Sequence, residues 1–332
     1  MDMRIWVQEV IEQKLRVAIP IMTHPGIEMN GHTVKEALQD GAIHAKAIEK
    51  INEVYPVAAT TAIMDLTLEA EAFGCQIDFP DHEMPNIRGR LVSNAEEIED
   101  MKVPELSSGR ISEFLMANQL TVKANYGKPV LAGAIGPFSV AGRLYDMSEI
   151  MMACYMEPDA IMMLLEKCTQ FLMNYCKELK QLGCSGVVIA EPAAGLLSNE
   201  DCMMYSTPYV KQIVDALQDD QFLVVLHNCG NRGHCTEAML ASGAGALHFG
   251  NAINMVEALS SCPKDILIMG NVDPVGVMKN LTPTEVYNTT SDLLKETSAF
   301  DNFVLSTGCD LPPQVSEKNI KAFFDALNAY NI

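Results

Sequence analysis

The chain has no excess of basic residues to offer a polyanion. Its 332 residues hold 23 Lys and Arg against 43 Asp and Glu, a formal charge of −20. Binding to nucleic acid needs basic side chains that displace counterions from phosphates, so this balance excludes such a partner. An anionic small molecule would have to meet a local positive centre, an arginine or a metal ion. Apolar runs of the roughly 20 residues needed to span a bilayer are also missing. The first residues, "MDMRIWVQEVIEQKL", read as an amphipathic helix and not as a basic-then-apolar leader. A cytoplasmic protein with no membrane segment is expected. Low-complexity linkers, charged tails and short solenoid repeats are absent as well.

What is abundant is apolar. Hydrophobic residues make up 48% of the chain, enough for a large core. Ten cysteines in a chain of this length, without a secretory signal, do not form a disulfide framework. Cys154, Cys168, Cys176 and Cys202 fall in helix-like segments and read as small buried hydrophobes. The 21 methionines, dense in "MSEIMMACYMEPDAIMML", read as gap-filling core.

Strand-like runs recur, each followed by a Gly, Pro or polar break and then a helical pattern. They are "VAIPIMT" (17–23), "AATTAIM" (58–64), "PVLAGAI" (129–135), "GVVIAE" (186–191), "FLVVLHN" (222–228), "GALHFG" (245–250), "DILIMGN" (265–271) and "FVLSTG" (303–308). They are apolar on both faces, as strands of a covered parallel sheet must be. Helix-length segments separate them, including "TVKEALQDGAIHAKAIEKINEV", "EPDAIMMLLEKCTQFLMNYCKELKQLG" and "LTPTEVYNTTSDLLKETS", the last with Thr282 and Pro283 at its start. Eight such alternations predict a (β/α)8 TIM barrel, one domain over 1–332 with an N-terminal helical extension. The stretch from 75 to 125 fits least and reads as a loop-rich excursion.

Chemistry in such a barrel collects at the carboxyl ends of the strands. Those ends carry His24, Asp65, Gly136 with Pro137, Glu191, His227 with Cys229, His248, Asn271 with Asp273, and Cys309. His227, Cys229 and Cys309 can therefore converge at one mouth. Two thiolates and an imidazole with an open fourth position suit catalytic zinc, and disfavour calcium and magnesium. A structural zinc site more often shows paired Cys-x2-Cys knuckles. A thiolate-rich centre is a mild Lewis acid, better suited to holding a substrate thiol as thiolate than to activating water. Glu191 is expected as an exchangeable ligand, a group orienting the imidazole, or a plain loop carboxylate. Asp65 and His24 are expected to face the mouth. Gly136, Pro137, Arg143, Asn271 and Asp273 are candidate substrate contacts. His32 and His44 read as surface residues, and His234 and Cys235 as part of the helix after the fifth strand.

At these residues the chain resembles the uroporphyrinogen decarboxylase superfamily over nearly its whole length. Within it, the chain looks like the zinc-dependent methylcobamide:coenzyme M methyltransferase branch. The resemblance lies in "THPGIEMNGHTVKEALQDG", "DLTLEAEAFGCQIDFPDHEMP", "GPFSVAGRLYDM", "LHNCGN" and "STGCDLPP". It implies zinc on His227, Cys229 and Cys309, a corrinoid protein as methyl donor, and a small thiol such as coenzyme M as acceptor. A folate or another thiol stays open as acceptor, and the superfamily suggests a homodimer. Two alternatives remain: a uroporphyrinogen decarboxylase, and a non-catalytic corrinoid-handling subunit. Against decarboxylation, the loop "THPGIEMNGH" has no arginine to grip a polycarboxylate, and Cys309 stands where the decarboxylases carry His. Asp65, in contrast, falls at the position of their central Asp.

Overall fold

The continuously apolar runs become strands covered on both faces. A computed structural model describes residues 1–332. In chain order the strands are β1 (Thr60–Thr61), β2 (Gln76–Asp78), β3 (Asn86–Arg88), β4 (Val130–Ile135), β5 (Gly186–Ala190), β6 (Leu223–Asn228), β7 (Ala246–Phe249), β8 (Leu267–Val272) and β9 (Phe303–Thr307). Seven form one parallel sheet in the order β1-β4-β5-β6-β7-β8-β9, and β2 and β3 form a separate antiparallel hairpin. Every residue of β4, β5, β6, β7 and β9 is buried. Helices cover the sheet outside and side chains fill it inside.

The expected first strand, 17–23, is reduced to one bridge. Ala18 pairs with Leu305, Ile19 N–H donates to Leu305 O at 2.9 Å, and Ala58 N–H donates to Ala18 O at 2.9 Å. The segment thus lies between β9 and the chain entering β1, and it closes the curled sheet as an eighth stave. Pro20 has no N–H, so the ladder cannot run on through it. The expected second strand, 58–64, also shortens, because side chains take its backbone groups. Ile63 N–H donates to His44 Nε2 at 3.1 Å, and Met64 N–H to Asp310 Oδ2 at 3.3 Å. His44 is therefore a core residue and not the surface residue expected. Burial pushes its pKa down to about 3, which keeps the Nε2 lone pair available to Ile63.

Elsewhere the local signals hold. The 24-residue helix Pro158–Gln181 and the helix Pro283–Glu296, with its Thr282–Glu285 capping box, sit where the pattern placed them. The helical pattern of 33–54 divides at Asp40, whose carboxylate accepts from Ala42 and Ile43 N–H and starts a new helix, Gly41–Val54. The stretch 75–125 is more regular than expected: it holds the β2–β3 hairpin and the helices Ala95–Asp100 and Ile111–Ala124. No helix is long and apolar enough to cross a membrane.

Candidate metal centre

β6 delivers His227 and, one residue past its end, Cys229; the loop leaving β9 delivers Cys309. Their ligand atoms all lie within 4.8 Å of one another. The loop after β7 passes close over Cys229 because residue 250 is glycine: a Cβ there would fall 2.6 Å from Cys229 Cα. His227 is buried, and its Nε2 has no hydrogen-bond partner. The Cys309 thiol donating towards Cys229 holds Cys229 below the ordinary thiol range, and the same contact, with burial, pushes Cys309 up. An orphaned imidazole nitrogen facing two cysteine sulfurs is a donor set that fits zinc, with room for one more ligand.

The triad opens into a cavity of about 210 Å³. Its walls include Met64, Leu66, Met84, Leu311, Pro312 and Pro313, and no lysine or arginine lines it. That volume lies below the ~300–1,000 Å³ of pockets for drug-sized ligands and suits a small acceptor molecule. A larger hollow of about 490 Å³, between Met1, Lys180 and Asp220, lies at the opposite, amino-terminal ends of β5 and β6 and holds no ligand set.

His24 reaches the same cavity, though from the first turn of a short helix, His24–Met29, and not from a strand end. Its Nδ1–H donates to Leu311 O at 2.9 Å, and its Nε2 lies 3.0 Å from Met84 Sδ. Asp310 Oδ1 stands 3.5 Å from Nδ1, an electrostatic contact and not a formed hydrogen bond, since Leu311 O holds that proton. Burial by itself would lower the His24 pKa, but the Asp310 charge and the Leu311 carbonyl together raise it above the ordinary value. Asp310 Oδ1 is left buried without a hydrogen-bond partner beside the cavity.

The remaining expected site residues lie elsewhere. Glu191 does not approach the sulfurs. It accepts from Phe138 N–H (2.8 Å), Ser139 N–H (2.8 Å), Ser139 Oγ–H (2.5 Å) and Ser206 Oγ–H (3.3 Å), at the N-terminus of the helix Pro137–Tyr145. Burial still raises its pKa to about 7 against those donors. Gly136 and Pro137 build the seat for this carboxylate and do not line the cavity; a Cβ at 136 would fall 2.4 Å from Glu191 Cδ. Arg143, on the same helix, is half-buried and also outside the cavity; desolvation lowers its pKa, with the Asp65 charge opposing. Asp65 is fully engaged in structure. It accepts from Thr67 N–H and Oγ–H at 2.8 Å each, and from Arg110 at 2.6 Å, while Arg110 also donates to Glu71 at 2.6 Å. Asn271 donates to Gly250 O and Ile253 O, and Asp273 accepts from Asn251, Val275 and Gly276, so both shape a separate hollow beside β8. His248 is wholly buried beneath His227 and does not face the rim. His234 is exposed in the turn before the helix Thr236–Ala241; Cys235 is buried with its sulfur 3.4 Å from that of Cys202. Asp310 and Met84 are cavity residues that the sequence pattern did not single out. The one available signal was that Asp310 directly follows Cys309.

A parallel α/β barrel with two thiols and an imidazole converging at the carboxyl ends of its strands defines a class: a barrel whose strand-end cluster is a soft-donor set that fits a metal ion. The family model for uroporphyrinogen decarboxylase (URO-D) matches residues 15–330, and the chain belongs to that family. It is 29% identical over 318 residues to "Methylcobamide:CoM methyltransferase MtbA" of Methanosarcina mazei, covering 92% of this chain and 89% of the relative. A "Uroporphyrinogen decarboxylase" of Pseudoalteromonas translucida is 23% identical over 288 residues, covering 83% and 80%. Among solved structures, a "methyltransferase from Methanosarcina mazei" superposes with a TM-score of 0.89 at 20% identity over all of both chains, which establishes the shared fold.

Proposed function

We propose that this chain transfers a methyl group from a corrinoid, presented by a partner protein, to a small thiol, at a zinc centre held by His227, Cys229 and Cys309. The observation that carries the reading is the convergence of those three donors, within 4.8 Å, at a small apolar cavity. The 92% alignment with a methylcobamide:CoM methyltransferase supports it. Bound zinc would supply a cationic position for the acceptor sulfur and lower the pKa of its thiol.

The chain's own residues do the rest. Met64, Leu66 and Met84 exclude water around the acceptor, so its charge is not quenched by solvent. Asp310 Oδ1, buried and unpartnered, is the atom placed to take the thiol proton, with the His24 imidazole 3.5 Å away to balance the charge. The acceptor thiolate attacks the methyl carbon in line; the carbon–sulfur bond forms as the cobalt–carbon bond breaks, and both electrons of that bond stay with cobalt. Porphyrinogen decarboxylation finds no support here, because no lysine or arginine lines the cavity to meet a polycarboxylate.

Demethylation of methylcobalamin, followed by absorbance with a panel of thiols including coenzyme M, tests the reading. Loss of the methyl–cobalt spectrum should require a thiol, and should stop when a chelator removes the metal. Undiminished activity of metal-free protein would overturn it.

A further inference from the structure

We propose that His248 and Ser306 are positioning residues that set the tautomer of His227, so that its Nε2 lone pair is the nitrogen facing Cys229 and Cys309. The arrangement follows from counting protons along one chain of contacts. The main-chain oxygen of Ile19 can only accept, so Ser306 Oγ, 2.7 Å away, spends its single hydrogen there. Ser306 Oγ must then accept from His248 Nε2 at 2.8 Å, which places a proton on that nitrogen. The imidazole–carboxylate pairs of this chain are His24–Asp310 and His32–Glu36, so no acid stands by to hold His248 as a cation. A neutral His248 carries one ring proton, and its Nδ1 is therefore a lone pair.

His227 Nδ1 lies 2.8 Å from that lone pair and 3.3 Å from the main-chain oxygen of His248. Both neighbours accept and neither can donate, so His227 Nδ1 bears the proton. Its Nε2 is left as a lone pair, and it is the ring nitrogen that has no partner in the protein. Free histidine prefers the opposite tautomer, with the proton on Nε2. The barrel reverses that preference through residues from four staves: His227 on β6, His248 in register beside it on β7, Ser306 on β9, and Ile19 on the closing stave. Metal-bound imidazoles are commonly oriented in this way through their second nitrogen. What the lone pair is for rests on the zinc reading above; where the proton sits does not.

Long-range ¹H–¹⁵N correlation spectra of metal-free, ¹⁵N-histidine-labelled protein read the tautomer directly. His227 should carry its proton on Nδ1 and His248 on Nε2. His227 protonated on Nε2 would overturn the proposal, and this arm needs no variant. In zinc competition titrations, His248→Leu, which removes the nearer acceptor and leaves only the main-chain oxygen at 3.3 Å, should bind about 10- to 100-fold more weakly. His248→Gln, which restores an acceptor oxygen, should recover much of the loss. Zinc bound by His248→Leu as tightly as by wild type would count against the positioning role. Wild-type protein that has the Nδ1–H form yet binds no zinc would uphold the tautomer and overturn the metal reading instead.

Discussion

Cys309 and Glu191 both stand just beyond the ends of barrel strands, yet they serve opposite purposes. Cys309 faces Cys229 and His227, whereas Glu191 is captured by the backbone and hydroxyl donors at a helix N-terminus. Cys309→Ser should therefore abolish stoichiometric zinc, measured by atomic absorption on purified protein, and leave the helical circular dichroism signal intact. Glu191→Ala should keep its zinc but lose about 2–4 kcal/mol of stability in denaturant unfolding, because the Phe138 and Ser139 N–H groups are left buried without an acceptor. Loss of zinc without loss of stability would return Glu191 to the metal. The His-x-Cys pair and the distant cysteine were legible in the sequence because their residue types carry the chemistry. Nothing local distinguished His248 from a core histidine, or Asp310 from a loop carboxylate.

At the scale of elements, the turn from β4 into the helix Pro137–Tyr145 exists in this form because residue 136 has no Cβ. Gly136→Ala would bring a methyl 2.4 Å from Glu191 Cδ, and should lower the urea midpoint by an equivalent of about 1–3 kcal/mol. An unchanged midpoint would mean that the carboxylate is not seated there. The excursion after β1 is tied to the barrel by Arg110 between Asp65 and Glu71. Arg110→Met strands the buried Asp65 charge and should cost about 3–5 kcal/mol, read by the same unfolding. The later strands keep nearly the lengths of their apolar runs because their parallel ladders run unbroken between neighbouring staves. The first two were read as strands as well but are cut short, because Pro20 interrupts one, and His44 and Asp310 take N–H groups of the other.

For the whole molecule, buried titratable groups give stability a pH dependence of opposing signs. Glu69 is wholly buried, and burial pushes its pKa from 4.5 up to about 8. Between those values the folded chain holds a proton that the unfolded chain has lost. Its contribution is thus complete below pH 4.5 and fades as pH rises towards 8, by about 1.4 kcal/mol per pH unit at most. His44, depressed from 6.5 to about 3, acts the other way, and its contribution is lost as pH falls through that window. Glu69→Gln should gain stability relative to wild type between pH 5 and 8, measured by denaturant unfolding at several pH values. A constant difference across that range would show that Glu69 is not held neutral.

The sequence by itself determined the alternation of apolar runs and amphipathic helices, hence a covered parallel barrel, and it determined which residues could bind a soft metal. Both are properties of side-chain type and of spacing along the chain. Only the tertiary structure decided which strand-end groups meet. A strand pattern says that a side chain reaches the rim, but not whether a helix N-terminus, a buried arginine or a sulfur lies within 3 Å of it. Glu191 and Asp65 were taken by the first two, and His227, Cys229 and Cys309 were left to one another.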